Sequence, residues 1–336
     1  MRVVEVVRPG GPEVLVAAER PIPTPALENV VIESAFAGVN FADLWARLNP
    51  DGGARSVPGI ELAGRVHELG SDANGFAAGD RVVGLPYFAL GGYAEYVEVP
   101  ATHVVPVPDG LALDLAAAIP VNYLTAYIGL VRVAQVRPGE RVLVHAAAGG
   151  VGLAAVQLAA AFGARVVATA SKPKHEFLEQ LEVVDAVIDY NDVDWDDQVR
   201  EASGGGVDVV LDGIGEDNFR KSLHTLAFGG RLAAFGLTSA MTSSTSPSVV
   251  ANLDVERLMI PFSPLFENAW SVGGVTGGAP PAQLAEWVGL LFEMCVRGEI
   301  APHVGQRFAL EHASDAHRAL HERRNSGKLL LEVGSS

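Results

Sequence analysis

Short apolar runs broken by Gly and Pro fill the chain from residue 1 to about 110: RVVEVV, VLVAAE, VVIESAFAGV, ELAGRVHELG, DRVVGL and YAEYVEVP. Their texture predicts an antiparallel or barrel-like β domain. LDLAAAIPVNYLTAYIGLVRVA (113–134) has helical spacing and predicts a helix that bridges to the next unit. After RPGE the rhythm changes. RVLVHAAA (141–148) predicts a strand, GGVGLAAVQLAAAFG (149–163) a helix, ARVVATA (164–170) a strand and KHEFLEQLE a helix; DAVIDY, VDVVLDG (207–213) and GRLAAFGL (230–237) continue the strands. Strands alternating with helices predict βαβ units and a parallel sheet. The last part predicts a helix (PAQLAEWVGLLFEMCVRG), a strand (QRFAL), a helix (EHASDAHRALHERR) and a final strand (KLLLEV), and the Ser/Thr-rich TSAMTSSTSPS (238–248) predicts a mobile loop.

One turn carries chemistry. Gly149, Gly150, Val151 and Gly152 stand between a predicted strand and a predicted helix, with Ala147 in the first place of a G-x-G-x-x-G pattern. Glycines there let the backbone approach a pyrophosphate while the first helical amides point at its oxygens. In folds that prefer NAD, an acid about 20 residues further on binds the adenosine ribose. Thr169 falls at that distance and ATAS holds no acid; Ser171, Lys172 and Lys174 follow instead. A 2′-phosphate is attracted by lysine and repelled by a carboxylate, so these residues predict NADPH as cofactor.

Composition narrows the partners. At 336 residues and 49% hydrophobic content the chain is long enough for two domains. Forty acidic residues against 24 basic ones give a formal charge of −16, and only four residues are lysine, two of them Lys172 and Lys174. That balance argues against nucleic acid or an anionic membrane as partner. No window reaches about 18 apolar residues without a charge or breaker, so no membrane span is expected, and MRVVEVVRPGG lacks a signal peptide's apolar core, so the expected location is the cytoplasm. The single cysteine, Cys295, sits in an apolar helix and is expected in the core. His317 and His321 have i,i+4 spacing without a third ligand, which predicts an exposed helix and no metal. DYNDVDWDD has Asp197 where a calcium loop needs Gly, so it is expected to be a solvated loop.

The stretches GVNFADLWAR (38–47), PGIELAGRV (58–66), GDRVVG (79–84), GGYAEYV (91–97), VNYLTAY (121–127), VHAAAGGVG (144–152), TASKPKHE (169–176), IDY (188–190) and GKLLL (327–331) run from end to end of the chain. Together they resemble zinc-independent medium-chain dehydrogenases/reductases, the quinone oxidoreductases and most of all their vesicle-amine-transport-protein-like branch. The resemblance implies an α/β protein: a GroES-like catalytic β domain (1–122 and 268–336) and a Rossmann NADPH-binding domain with a doubly wound parallel sheet (123–267). Where zinc-using relatives have a Cys and a His ligand, this chain has Asn40 and Ile60, which cannot replace thiolate and imidazole. The implied activity is hydride transfer from NADPH to the conjugated C=C of a small enone, enoyl thioester or quinone.

Asn40 would hydrogen-bond the developing enolate oxygen or the nicotinamide ribose. Asp43 would be catalytic or would stabilise a helix dipole, and the proton would come from Tyr123 or a water, because WARLNPDGG offers Trp45 and no Tyr. Carried over residue by residue, Thr125 meets the nicotinamide side, Gly150 and Val151 the pyrophosphate, Ser171 and Lys174 the 2′-phosphate, and Tyr190 the adenosine end. Phe235 and Gly236 line the crevice, Gly274 and Val275 face the carboxamide, and Arg323 assists at the phosphate. Relatives also imply a homodimer joined near SVGGV (271–275). Two alternatives share the fold: an enoyl-thioester reductase or modified polyketide-pathway enzyme, and a non-catalytic NADPH-binding structural or sensing protein.

Overall fold

The computed structural model describes residues 1–48, 55–215, 217–236, 262–276 and 278–334. TSAMTSSTSPS and most of LNPDGG lie outside them. The strands are β1 (Arg2–Val6), β2 (Leu15–Glu19), β3 (Asn29–Val39), β4 (Leu62–Leu69), β5 (Arg81–Gly84), β6 (Tyr96–Pro100), β7 (Val104–Pro106), β8 (Arg141–Val144), β9 (Arg165–Ala170), β10 (Val184–Asp189), β11 (Val207–Asp212), β12 (Leu226–Ala234), β13 (Ser271–Gly274), β14 (Val304–Ala309) and β15 (Lys328–Glu332). The α-helices are α1 (Phe41–Leu48), α2 (Leu113–Ala118), α3 (Pro120–Tyr127), α4 (Gly150–Ala161), α5 (His175–Glu179), α6 (Trp195–Ala202), α7 (Asp217–His224), α8 (Phe262–Asn268), α9 (Pro281–Val296) and α10 (Ala313–His321).

β1 and β2 form an antiparallel ribbon. A second sheet runs β14-β15-β3-β4-β5-β7, with β6 also on β3. β3 is its spine. Eleven residues long, it pairs with β4 along one edge, while β6 takes Asn29–Glu33 and β15 takes Phe36–Val39 on the other. The C-terminal tail is thereby sewn into the N-terminal domain, and Lys328 begins the strand that does it.

The intervening chain forms a wholly parallel sheet, β10-β9-β8-β11-β12-β13. Counted from β8 this is the 3-2-1-4-5-6 order of a doubly wound dinucleotide fold, whose ligand crevice opens at the carboxyl ends where the order reverses, here β8 and β11. Strands buried on both faces must be apolar almost throughout. RVLV, RVVATA and VDVVLD satisfy that requirement. Ala154, Ala155 and Ala159 are fully buried on α4, and their small side chains let that helix lie close on β8 and β9.

One sequence expectation changes. The stretch 113–134 is not one helix: it breaks at Ile119, because Pro120 has no N–H to donate and its ring clashes with the carbonyl four residues back. α3 restarts there and packs on α4. At the other end β13 pairs in parallel with β12 (Arg231 opposite Ser271, Ala234 opposite Gly274) and closes the sheet. One core cluster runs through both units, from Val83 and Leu85 through Leu124 to Val142 and Val209. No described helix is long and apolar enough to cross a membrane.

Candidate functional site

The Gly-rich turn follows β8. Gly149 is the extended N-cap of α4, and its N–H donates to the Ala146 carbonyl at 2.8 Å. Glycine is required at the next positions for steric reasons. A Cβ on Gly150 would lie 2.4 Å from the Asn122 amide, and one on Gly152 would lie 2.2 Å from the Ala146 carbonyl. No side chain caps α4 and no acid stands in its first turn, so its first amides and its positive dipole end are left for an anion. Gly149, Gly150, Val151 and Gly152 are thus brought together as expected for a phosphate cradle. Ala147 is buried in the wall, bonded to the Thr169 carbonyl.

The C-terminal tail crosses this turn. Gly327 forms a bridge with Gly149, and its N–H donates to the Ala148 carbonyl at 2.8 Å. Gly327 has φ +67°, and a Cβ there would lie 2.3 Å from the His303 carbonyl, so no other residue fits. Just before it, Arg323 stands beside Lys174, whose ammonium donates to the Asn325 carbonyl. Burial, and then the positive Arg323 guanidinium, hold the Lys174 pKa below its ordinary value. Ser171 precedes them at the end of β9, and Lys172 is exposed. A positive charge near a half-buried ammonium disfavours its charged form, and an anion there would favour it.

Most of the remaining cofactor candidates lie just past the carboxyl ends of the parallel strands. Tyr190 follows β10, its N–H near the Ala170 carbonyl (3.4 Å). The Phe235 ring lies over Gly213, where a Cβ would be 2.4 Å from it, and Gly236 lies against the Gly213 carbonyl. Val275 continues β13 by donating to the Ala234 carbonyl at 2.8 Å, and a Cβ on Gly274 would meet nothing within 4 Å. Thr125 is buried on α3.

Asn40 ends β3 and stands at the entry to α1. Its Nδ2 donates to Glu61 Oε1 at 2.9 Å, and its Oδ1 accepts from Lys328 Nζ at 2.7 Å. Lys328 and Glu61 form an ion pair whose side chains are 2% and 0% exposed. The other Glu61 oxygen accepts the Val121 N–H at 2.8 Å, in the first turn of α3. This arrangement does not suit zinc: the Asn40 oxygen is held by an ammonium, Ile60 offers no donor, and no group of three or more His, Cys, Asp or Glu among the described residues could hold a metal.

Asp43 and Tyr123 both lie inside the protein, Asp43 in the first turn of α1. Asp43 is completely buried. Its Oδ2 accepts from the Asn40 N–H (2.7 Å) and the Tyr93 hydroxyl (3.1 Å), and its Oδ1 from the Gly59 N–H (3.1 Å). It anchors the backbone of Asn40 to the PGIE loop and does not face the cleft. Tyr123, also buried, donates its hydroxyl to Gln157 Oε1 at 2.8 Å, and Gln157 is tied to both backbone groups of Ala301. Burial pushes the Tyr123 pKa far up, so this hydroxyl stays protonated. His317, expected on an exposed face, is buried and meets the Tyr93 hydroxyl at 3.0 Å.

These groups give opposed pH dependences. Burial pushes Asp43 up to about 7, although the Asn40 N–H and Lys328 pull it down. Burial, then the Arg47 charge, pushes His317 down to about 3. Asp43 therefore contributes stability that is full below about pH 4 and lost as pH rises to about 7. His317 contributes stability that is full above about pH 6.5 and lost as pH falls toward 3. Between about pH 4 and 6.5 the slopes, roughly 1.4 kcal/mol per pH unit each, oppose. Relative to wild type, urea titrations of His317→Gln should show added loss of stability as pH rises through that window, and those of Asp43→Asn added loss as it falls. Two difference curves that stay flat would contradict the assignment.

Sequence reasoning missed Glu61, Lys328, Tyr93 and His317 as parts of the site. The one local signal was a lysine opening an otherwise apolar strand, KLLLEV.

With this geometry in place, comparison with known proteins is informative. The zinc-binding dehydrogenase family profile matches residues 150–291, and the alcohol dehydrogenase GroES-like domain matches 27–109. The chain is 33% identical over 317 residues to the synaptic vesicle membrane protein VAT-1 homolog of Danio rerio, a match covering 91% of this chain and 65% of that protein's length. To the quinone oxidoreductase of Pseudomonas aeruginosa it is 33% identical over 325 residues, 96% of both chains. The crystal structure of Escherichia coli quinone oxidoreductase complexed with NADPH superposes with a TM-score of 0.87 at 31% identity, covering 99% of this chain and 100% of that one. The fold, the glycine turn and the quinone oxidoreductases matched over almost their whole length agree: the chain belongs to the quinone oxidoreductase family of the medium-chain dehydrogenases/reductases.

Proposed function

We propose that the protein is an NADPH-dependent, zinc-independent reductase of quinones or small α,β-unsaturated carbonyl compounds. The carrying observation is Lys174, on the turn that Ser171 opens and bonded to the Asn325 carbonyl of the tail that crosses the uncapped start of α4. Gly149 to Gly152 would hold the pyrophosphate, Ser171, Lys174 and Arg323 the 2′-phosphate, and Tyr190 the adenosine. Thr125, Phe235, Gly236, Gly274 and Val275 would border the nicotinamide. When bound, NADPH supplies a hydride to the β-carbon of the conjugated C=C. Asn40 keeps one amide hydrogen beyond the one given to Glu61, and that N–H is the donor for the substrate oxygen or the nicotinamide ribose. Because the Tyr123 hydroxyl donates to Gln157, this reading takes a water, rather than Tyr123, as the proton source. A homodimer joined through β13, the last strand of the parallel sheet, belongs to the same reading and is measured by sedimentation velocity.

Oxidation of NADPH assayed against 1,4-benzoquinone, a simple enone and a crotonyl thioester tests the function. Turnover with the quinone or the enone is expected. Turnover with the thioester alone would assign the enoyl-reductase alternative. Tight NADPH binding without turnover of any acceptor would overturn the enzymatic reading in favour of a nucleotide-binding structural or sensing role.

A further inference from the structure

We infer that Lys328 and Glu61 are a positioning pair that locks the Asn40 side-chain amide in one of its two flip states; the inference rests on the reductase function proposed above. A side-chain amide rotated by half a turn exchanges oxygen and nitrogen with almost no change of shape, so only its partners select the state. Here both partners are ions. In the observed state Nδ2 faces the Glu61 carboxylate and Oδ1 faces the Lys328 ammonium. The flipped state would set oxygen against carboxylate and amino group against ammonium, replacing two attractions by two repulsions at a place almost without solvent.

The surroundings leave the pair nowhere to move. The Asn40 backbone is pinned at both groups: its N–H donates to Asp43 Oδ2, and its carbonyl accepts the Asp43 N–H at 3.1 Å. Glu61 lies on the bare Cα of Gly38, where a Cβ would be 2.3 Å from Oε1, and its second oxygen caps α3. Lys328 also lines a cavity of about 10 Å³ together with Asn122, Gly150 and Gly327. That is room for about one water beside the start of α4. A buried ion pair is seldom more stable than a well-packed apolar pair, so its presence here points to orientation rather than stability. Lys328 and Glu61 thus decide that Asn40 presents an N–H, not an oxygen, to its ligand.

The test compares Lys328→Met, Lys328→Gln and Glu61→Gln with wild type in the full chain. Selective ¹⁵N labelling of asparagine displays the Asn40 side-chain NH₂ signals, assigned by their loss in Asn40→Ala. In wild type one pair with widely separated proton shifts is expected. In Lys328→Met the pair should split into two sets or broaden by exchange, and kcat with 1,4-benzoquinone should fall about 10- to 100-fold while the NADPH Kd from calorimetry changes less than about threefold. Lys328→Gln, whose amide can donate to Asn40 Oδ1, should restore most of the signal and of kcat. An unaltered Asn40 pair in Lys328→Met, or a kcat kept within about threefold, overturns the inference. Should Lys328→Met not fold, the same comparison is made between Lys328→Gln and Glu61→Gln, and unaltered Asn40 signals in both overturn it. If wild type reduces no acceptor while binding NADPH, the functional reading falls, and the amide signals alone decide the role of the pair.

Discussion

Lys174→Met lowers the preference for NADPH over NADH by about 10- to 100-fold, and combining it with Arg323→Met lowers it further, while NADH affinity changes by no more than about twofold. The magnitude follows from charge-assisted hydrogen bonds to phosphate, about 1.5–3 kcal/mol each where partly desolvated. Lys174 is more than half removed from water and close enough to Arg323 for the guanidinium to lower its pKa, so a 2′-phosphate would relieve a repulsion as well as form new bonds. Local charge matters more here than elsewhere. The chain carries a formal −16, and its long-range field repels a nucleotide polyanion; the two cations act at contact distance, where a screening length of about 10 Å at 0.1 M salt weakens them little. Lys172, exposed on the same short turn, serves as the control and should change the preference by less than about threefold. Calorimetric titration of both nucleotides at two ionic strengths measures all of this. Equal binding of NADH and NADPH to wild type would remove the assignment of the subsite, and the cofactor with it.

Glu61→Ala destabilises the protein by about 3–5 kcal/mol, the second large effect, because it leaves the Lys328 ammonium buried without its counter-ion and strips the Val121 N–H at the start of α3 of its acceptor. The neutral double variant Glu61→Gln with Lys328→Met should lose much less than the sum of its single changes, since no uncompensated charge remains. Denaturant unfolding of wild type, both single variants and the double closes the cycle. A midpoint for Glu61→Ala indistinguishable from wild type would mean that the ammonium finds water or another acceptor, and that the pair is not closed as described.

The parts of the molecule governed by neighbours in sequence were legible without coordinates. Strand, glycine turn and helix at 141–163 are set by local sterics: Gly150 and Gly152 have no room for a Cβ, and the alanines behind them tolerate close packing. The cationic niche was legible for the same reason, with Ser171 and Lys174 three residues apart on one turn. Pro120 was visible too, although its power to end a helix was outweighed in the reading by the apolar spacing around it. Tertiary structure alone decided the Asn40 cluster. Its members lie at positions 40, 61 and 328, and no periodicity links residues 21 and 288 apart. They meet because β15 returns to the edge of β3, which pairs Leu329 with Val39 and puts Lys328 beside Asn40. Tertiary structure likewise set the partners of Asp43 and Tyr123: the carboxylate accepts from the Asn40 and Gly59 N–H groups, and the phenol donates to Gln157, none of them a neighbour that spacing could show. Residue type and spacing thus carried the strand, glycine turn and helix, whereas the partners of Asn40 depend on which polar groups the fold brings together, and that is a property of packing.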